Sequence, residues 1–331
     1  MERFALAAAV VLGFALTAAL CSLFVPLRRV LERREQQQQP VQSEQPRPAP
    51  LRAPLWGGLC AAAGTVAAVG VGWLAACVGQ PELLGSEGRL MTRLLTALAG
   101  SLAFGAVGLA EDLARMRSPA ALGLRRDVRL LLEALAAAFV LLLLRAAGCL
   151  PRGLDVPGAG YVLLGSAVPF LWAVLMVALA ECARIAERDE GAVCGAAFVA
   201  MLALMMVEAG LGVSGLAVLP GALAGALVAL GLWAFPPARL GVGCCGSLLA
   251  AGAIGCIPLS LDMTSLTVPL ALPFWAAGGL LAAQLLGAKR TGKPLRCWVK
   301  KHKMSPETVF LCSFALSAVG YVLALALLRW C

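Results

Sequence analysis

Apolar runs long enough to cross a bilayer return from one end of this chain to the other, and that recurrence constrains the fold more than any motif does. A helix needs about 20 mostly apolar residues to span the hydrocarbon core. Ten stretches reach that length: 4–26, 55–78, 90–110, 128–148, 161–181, 192–210, 215–234, 246–262, 265–287 and 308–330. Of the 331 residues, 61% are hydrophobic and 14% are charged, against about 45–50% and about 25% in soluble domains. The fold class is therefore all-α: a polytopic membrane protein of about ten transmembrane helices in one domain. The first run ends in the basic stretch "VPLRRVLERREQ", which favours a retained helix over a cleaved signal peptide.

The placement of the basic residues sets orientation. Arg28, Arg29, Arg33, Arg34, Arg47 and Arg52 follow the first run, and Arg115, Arg117, Arg125, Arg126 and Arg129 follow the third. Lys289, Arg290, Lys293, Arg296, Lys300, Lys301 and Lys303 follow the ninth, while the alternate connections are poor in both residues. The positive-inside rule then puts the odd-to-even connections in the cytoplasm and both termini outside. The formal charge of +9 is accounted for by these segments, and an aromatic content of 6% offers no base-stacking surface, so nucleic acid is excluded as a partner. Five cytoplasmic loops are expected, at 27–54, 111–127, 182–191, 235–246 and 288–307. In the first, the Gln- and Pro-rich segment 35–50 has the composition of a disordered linker.

Chemistry-bearing clusters all fall on that cytoplasmic face. Adjacent carboxylates Glu111 and Asp112 end the third run; they can hold a divalent cation or act as a base, or cap the span and pair with Arg115 or Arg117. Segment 181–195 carries Glu181, Glu187, Asp189 and Glu190 against Arg184 and Arg188, a charge run that also suits a solvated loop. The basic segment 287–308 can hold phosphate or anionic headgroups and contains the only histidine, His302. Twelve cysteines are scattered through apolar runs without a Cys-x-x-Cys pair, which is the pattern of reduced membrane-helix thiols. A soft-metal site from Cys182, Cys194, Cys244 and Cys245 is a minor alternative. Glu133 and Glu208, within apolar runs, are the residues a transporter reading would use.

Taken in order, the segments "APLWGG" (53–58), "GLAEDLAR" (108–115), "GLRRDVRLL" (123–131), "ECARIAERDEG" (181–191), "PARLGVGCCGSL" (237–248), "KRTGKP" (289–294) and "PET" (306–308) resemble the phospho-N-acetylmuramoyl-pentapeptide transferases. These belong to the polyprenyl-phosphate sugar-1-phosphate transferases, of glycosyltransferase 4 type, and make a lipid-linked peptidoglycan precursor in the bacterial plasma membrane. The resemblance implies Mg2+ as cofactor, polyprenyl phosphate and a UDP-sugar as substrates, the lipid bilayer as surroundings and a homodimer. It places catalytic and metal roles on Glu111 and Asp112, a further metal role on Glu187, and substrate binding on Arg115, Arg129, Glu187, Glu190, Lys289, Lys293 and His302.

The departures are as informative as the matches. The aspartate of the family's Gly-Asp-Thr-Gly-Ser turn, a magnesium ligand, falls at Cys244, and its uracil-stacking Phe falls at Gly241. The Asn-x-x-Asn-x-x-Asp-x-x-Asp pattern becomes Glu181, Arg184, Glu187 and Glu190, and of the triple-histidine motif only His302 remains. Thiol sulfur is a poor substitute for the hard oxygen ligands of Mg2+. The expectation is a catalytically degenerate homologue that binds Mg2+ weakly or not at all and acts as a polyprenyl-phosphate-binding or scaffold protein of the cell envelope. The alternative is an active, diverged UDP-sugar:polyprenyl-phosphate transferase.

Overall fold

The computed structural model describes residues 2–38, 56–79, 89–117, 123–151, 153–156, 160–163, 165, 167–187, 192–235, 238–286 and 306–328. The expected residues Glu190, Lys289, Lys293 and His302, and the Gln/Pro-rich stretch from 39 onward, lie outside them.

The chain runs α1 (Glu2–Gln38), α2 (Gly57–Gly79), α3 (Arg89–Arg117), α4 (Arg126–Ala146), β1 (Gly153–Val156), β2 (Gly160–Leu163), α5 (Ala167–Ala186), α6 (Ala192–Gly210), α7 (Ser214–Ala234), α8 (Gly243–Leu261), a 3-10 turn (Thr264–Leu266), α9 (Thr267–Leu270), α10 (Leu272–Leu286) and α11 (Pro306–Leu328). Among the described residues, eight helices are long and apolar enough to cross a membrane: α1, α2, α3, α5, α6, α7, α8 and α11.

Several expected boundaries move, each for a local reason. Helix α1 continues past its apolar run to Gln38, so the loop expected from residue 27 begins as helix; Arg, Glu, Gln and Leu, all good helix formers, fill that extension. The loop expected from Glu111 likewise opens as the last turns of α3, and the one expected from Cys182 as the last turn of α5. The fifth run begins not as helix but as β2, which pairs antiparallel with β1 in the register Gly153↔Leu163 to Val156↔Gly160. Gly165, at φ +58°, separates that strand from α5. The ninth run breaks at Ala271, because Pro273 has no N–H to give the Pro269 carbonyl; that carbonyl instead lies where Gly320 of α11 has no side chain, 2.2 Å from the place a Cβ would occupy.

Helix α8 is the axis of the bundle, buried from Gly243 to Ser260. Against it α3 runs antiparallel, with small residues at the seam: Ser101 and Phe104 meet Gly252, and Gly105 lies over Leu249. Small residues let helix backbones approach closely, which is how helices associate where lipid supplies no hydrophobic driving force. The approach is closest at Gly108, where a Cβ would stand 2.3 Å from the Cys244 carbonyl oxygen. This seam carries the end of α3, with Glu111 and Asp112, onto the start of α8.

Candidate functional site

Four helix ends supply the site: the last turns of α3 and α5, the first turn of α4, and the first turn of α8. Gly243 adopts φ +70°, a left-handed conformation open to glycine at little cost, and turns the chain into α8. The first four N–H groups of a helix lack partners within it. Two of these are taken by Asp112: the Cys244 N–H donates to its Oδ1 at 3.0 Å and the Cys245 N–H to its Oδ2 at 2.9 Å. Asp112 is 1% exposed, so this carboxylate caps α8 from a neighbouring helix, where the positive end of the helix dipole favours it.

Around that cap the remaining charges are paired. Arg115 donates from Nη2 to Glu111 Oε1 at 2.7 Å, one turn back on α3, and its Nη1 lies 3.8 Å from Asp112 Oδ1 and 3.5 Å from Glu187 Oε2. Arg129 of α4 donates from Nε to Glu181 Oε1 at 2.7 Å, and its Nη1 lies 3.9 Å from Glu111 Oε1. Glu181 Oε2 accepts from Arg184 through Nη2, and through Nε at 3.2 Å. The Cys244 thiol faces Glu187 Oε2 at 3.8 Å. One turn deeper on α4, Glu133 is fully buried, and neither of its oxygens has a hydrogen-bond partner among the described residues.

Of the expected site residues, the structure thus gathers Glu111, Asp112, Arg115, Arg129, Glu187 and Cys244 at one end of the bundle. It does not leave the two arginines free for substrate, because each is engaged by carboxylates. Of the two sequence readings of Glu111 and Asp112, the capping, arginine-paired one corresponds to the observed contacts, except that the capped helix is α8 rather than their own. The expected metal set, Glu111, Asp112 and Glu187, surrounds the Arg115 guanidinium. Among the described residues no three His, Cys, Asp or Glu side chains are placed to share a metal ion.

The soft-metal grouping does not form either: Cys182 packs on Gly278 of α10, Cys194 packs near Gly231 of α7, and Cys244 faces Glu187. Glu133 lies beside the charged cluster, whereas Glu208 sits in the last turn of α6, at the opposite end. Sequence reading missed the bond from Arg129 to Glu181, 52 residues away, and the two backbone donors at residues 244 and 245. The Glu181–Arg184 pair did have a signal: opposite charges three apart, the spacing of neighbours on one helix face.

Residues 94–262 match the sequence profile of glycosyl transferase family 4, a span that runs from α3 through α8. A phospho-N-acetylmuramoyl-pentapeptide-transferase of Desulforudis audaxviator (strain MP104C) is 32% identical over 170 residues, 48% of this chain and 50% of that protein. The chain thus spans about half the length of the curated relative it matches.

Proposed function

Because the chain belongs to glycosyl transferase family 4, a family of generally Mg2+-dependent enzymes, and is a multi-pass protein of the bacterial plasma membrane, we propose that it keeps the family's membrane body without its phospho-sugar transfer. In this reading it binds polyprenyl phosphate, or organises other cell-envelope proteins, with the charged end of the bundle facing the cytoplasm and both termini outside. A homodimer is part of the same reading.

The observation that carries the proposal is the use to which Asp112 is put. Both its oxygens accept N–H bonds from the start of α8, and the residue supplying the first of them is Cys244, where the resembled enzymes have an aspartate ligand. Mg2+ demands near-octahedral oxygen coordination. Here one donor position is a thiol, Asp112 is committed to backbone, and Glu111 and Glu187 share Arg115. These residues do not fit the ion.

The second support is charge compensation. Two asparagines of the resembled pattern have become Glu181 and Arg184, and the two side chains bond each other. A buried charge without a partner costs several kcal/mol, and Glu181, which Arg129 also holds, offsets the charge of Arg184. The polyprenyl phosphate would be met by Lys289, Lys293 and His302, since Arg115 and Arg129 are engaged by carboxylates.

The test pairs turnover with binding. Purified protein is incubated with undecaprenyl phosphate, UDP-MurNAc-pentapeptide or UDP-GlcNAc, and Mg2+ or Mn2+, and UMP release is followed. The expected result is no release above an Asp112→Ala control, with undecaprenyl phosphate retained in native mass spectrometry. Release above the control would establish the active-transferase alternative. Absence of both release and lipid would remove the lipid-binding half of the proposal.

A further inference from the structure

Helices α1 and α2 run antiparallel with a regular ladder of contacts. Ala9 meets Gly72, Thr17 meets Gly64, and Phe24 stacks on Trp56 with ring centroids 5.9 Å apart. From Ala9–Gly72 to Thr17–Gly64, eight residues along α1 are matched by eight back along α2, the signature of one ridge followed along both helices. The backbones are close: a Cβ on Gly64 would lie 3.1 Å from the Thr17 nitrogen. The rung one turn on from Thr17 and Gly64 is Cys21 opposite Cys60, and the two pack in one buried cluster.

Both cysteines are reduced here, and they are 0% and 1% exposed. With Cys194 they belong to a small apolar cluster separate from the main core, packed with Ala61, Leu230, Leu240 and Val242. Leu240 and Val242 form the turn that leads into Cys244, so the thiol pair lies beneath the site. The start of α2 is tied to that same turn: the Gly57 N–H donates to the Gly241 carbonyl at 3.2 Å, and Gly58 abuts the Gly246 nitrogen.

We propose that Cys21 and Cys60 are a redox-active pair that closes to a disulfide between α1 and α2 when an uncharged, bilayer-permeant two-electron oxidant reaches them. Two S–H bonds break, one S–S bond forms, and two protons and two electrons pass to the oxidant, a quinone becoming a quinol. A disulfide requires Cβ atoms about 3.5–4.5 Å apart, and the rung one turn away, where a Cβ on Gly64 would lie 3.1 Å from the Thr17 nitrogen, shows how closely the two backbones run here. Burial shields the pair from charged, water-borne oxidants and from glutathione-type exchange, which proceeds through accessible thiolates. Closing the bond would clamp α1 to the end of α2 that holds the Gly241 turn. The proposal is independent of whether the site above is catalytic.

The probe is diamide, an uncharged azo oxidant that takes up the two hydrogens itself. Folded protein in lipid vesicles is treated, denatured, alkylated with a maleimide and mapped by peptide mass spectrometry. The expected result is two fewer alkylated thiols than the twelve of the reduced chain, one cross-linked peptide joining residues 21 and 60, and full recovery on reduction. Cys194→Ala should leave the cross-link intact. Full alkylation of Cys21 and Cys60 after diamide would overturn the proposal, as would a bond from either to Cys194 in place of the other. The wild-type peptide map decides even if a cysteine variant fails to accumulate.

Discussion

The role of Asp112 separates a structural reading of this site from a catalytic one, and Asp112→Asn tests it with almost no change of shape. The aspartate accepts from two backbone N–H groups at 3.0 and 2.9 Å while 1% exposed. Asparagine presents one oxygen and one NH2 group. The oxygen retains one N–H bond, now neutral; the NH2 faces the other N–H, donor against donor. Stranding a buried donor costs about 1–3 kcal/mol, and reducing a bond to a charged acceptor to a neutral one costs about another 1 kcal/mol. Loss of the carboxylate from the helix N-terminus adds roughly 0.3–1 kcal/mol. The sum is about 2–5 kcal/mol, and Asp112→Glu should cost a similar amount, because its carboxylate is displaced past both donors.

Thermal unfolding in mild detergent, read through exposure of buried thiols to a fluorogenic maleimide, measures it. The thiols of Cys244 and Cys245 sit directly behind the lost bonds. The expectation is a transition lower by about 5–15 °C, taking a few degrees per kcal/mol for a chain of this class. A variant that unfolds within a degree of wild type would refute the claim that Asp112 holds α8, and would return it to the catalytic role the resemblance implies.

Three further outcomes follow from the same geometry. Cys244→Asp restores an oxygen donor beside Glu187 and Asp112; the variant should be less stable than wild type without divalent cation and should gain a Mg2+-dependent thermal shift that wild type lacks. In a double-mutant cycle on Glu181→Gln and Arg184→Gln, the coupling should be about 1–3 kcal/mol, since partly buried charges that share a network couple this strongly; a coupling near zero would make the pair incidental. Gly108→Ala puts a methyl 2.3 Å from the Cys244 carbonyl oxygen and 2.5 Å from its carbon, atoms of a helix that cannot give way, so size-exclusion chromatography should show little monodisperse protein. Gly70→Ala, with nothing within 4 Å of its Cβ position, is the matched control.

How much of this was legible beforehand depended on the range of the interaction concerned. The spans were readable because hydrophobicity is a local sum, and the charged clusters were readable because like residues lie together in the chain. The break at Ala271 was also legible in principle, since Pro269 and Pro273 stand either side of it, but apolar content alone hides it. The strand at Gly160–Leu163 was hidden for the same reason: four apolar or aromatic residues extend a hydrophobic run whether they are strand or helix. The site was readable as an inventory and not as a wiring diagram. Nothing near Arg129 indicates that it bonds Glu181, and nothing near Asp112 indicates that its partners are backbone donors 132 and 133 residues on. Those links exist because α3, α4, α5 and α8 end at one level.

The pairing pattern also bears on how this end of the bundle balances its charge. Glu111, Asp112, Glu181 and Glu187 crowd one end of the bundle, and Arg115, Arg129 and Arg184 interleave with them. Without a cation, carboxylates this close and this buried would repel one another and carry the full desolvation cost. A guanidinium at Arg184 offsets part of that charge permanently, whereas a metal does so only when bound. A thiol at 244 adds no charge to this set: it is neutral, it fits the buried space, and the Cys244 N–H serves Asp112. On this argument a variant with Arg184→Asn alone should be destabilised more than one with Arg184→Asn and Glu181→Asn together, and its stability should fall further as salt is lowered and screening between the remaining acids is lost. Equal stability of the single and double variants at every ionic strength would show that Arg184 carries no such burden.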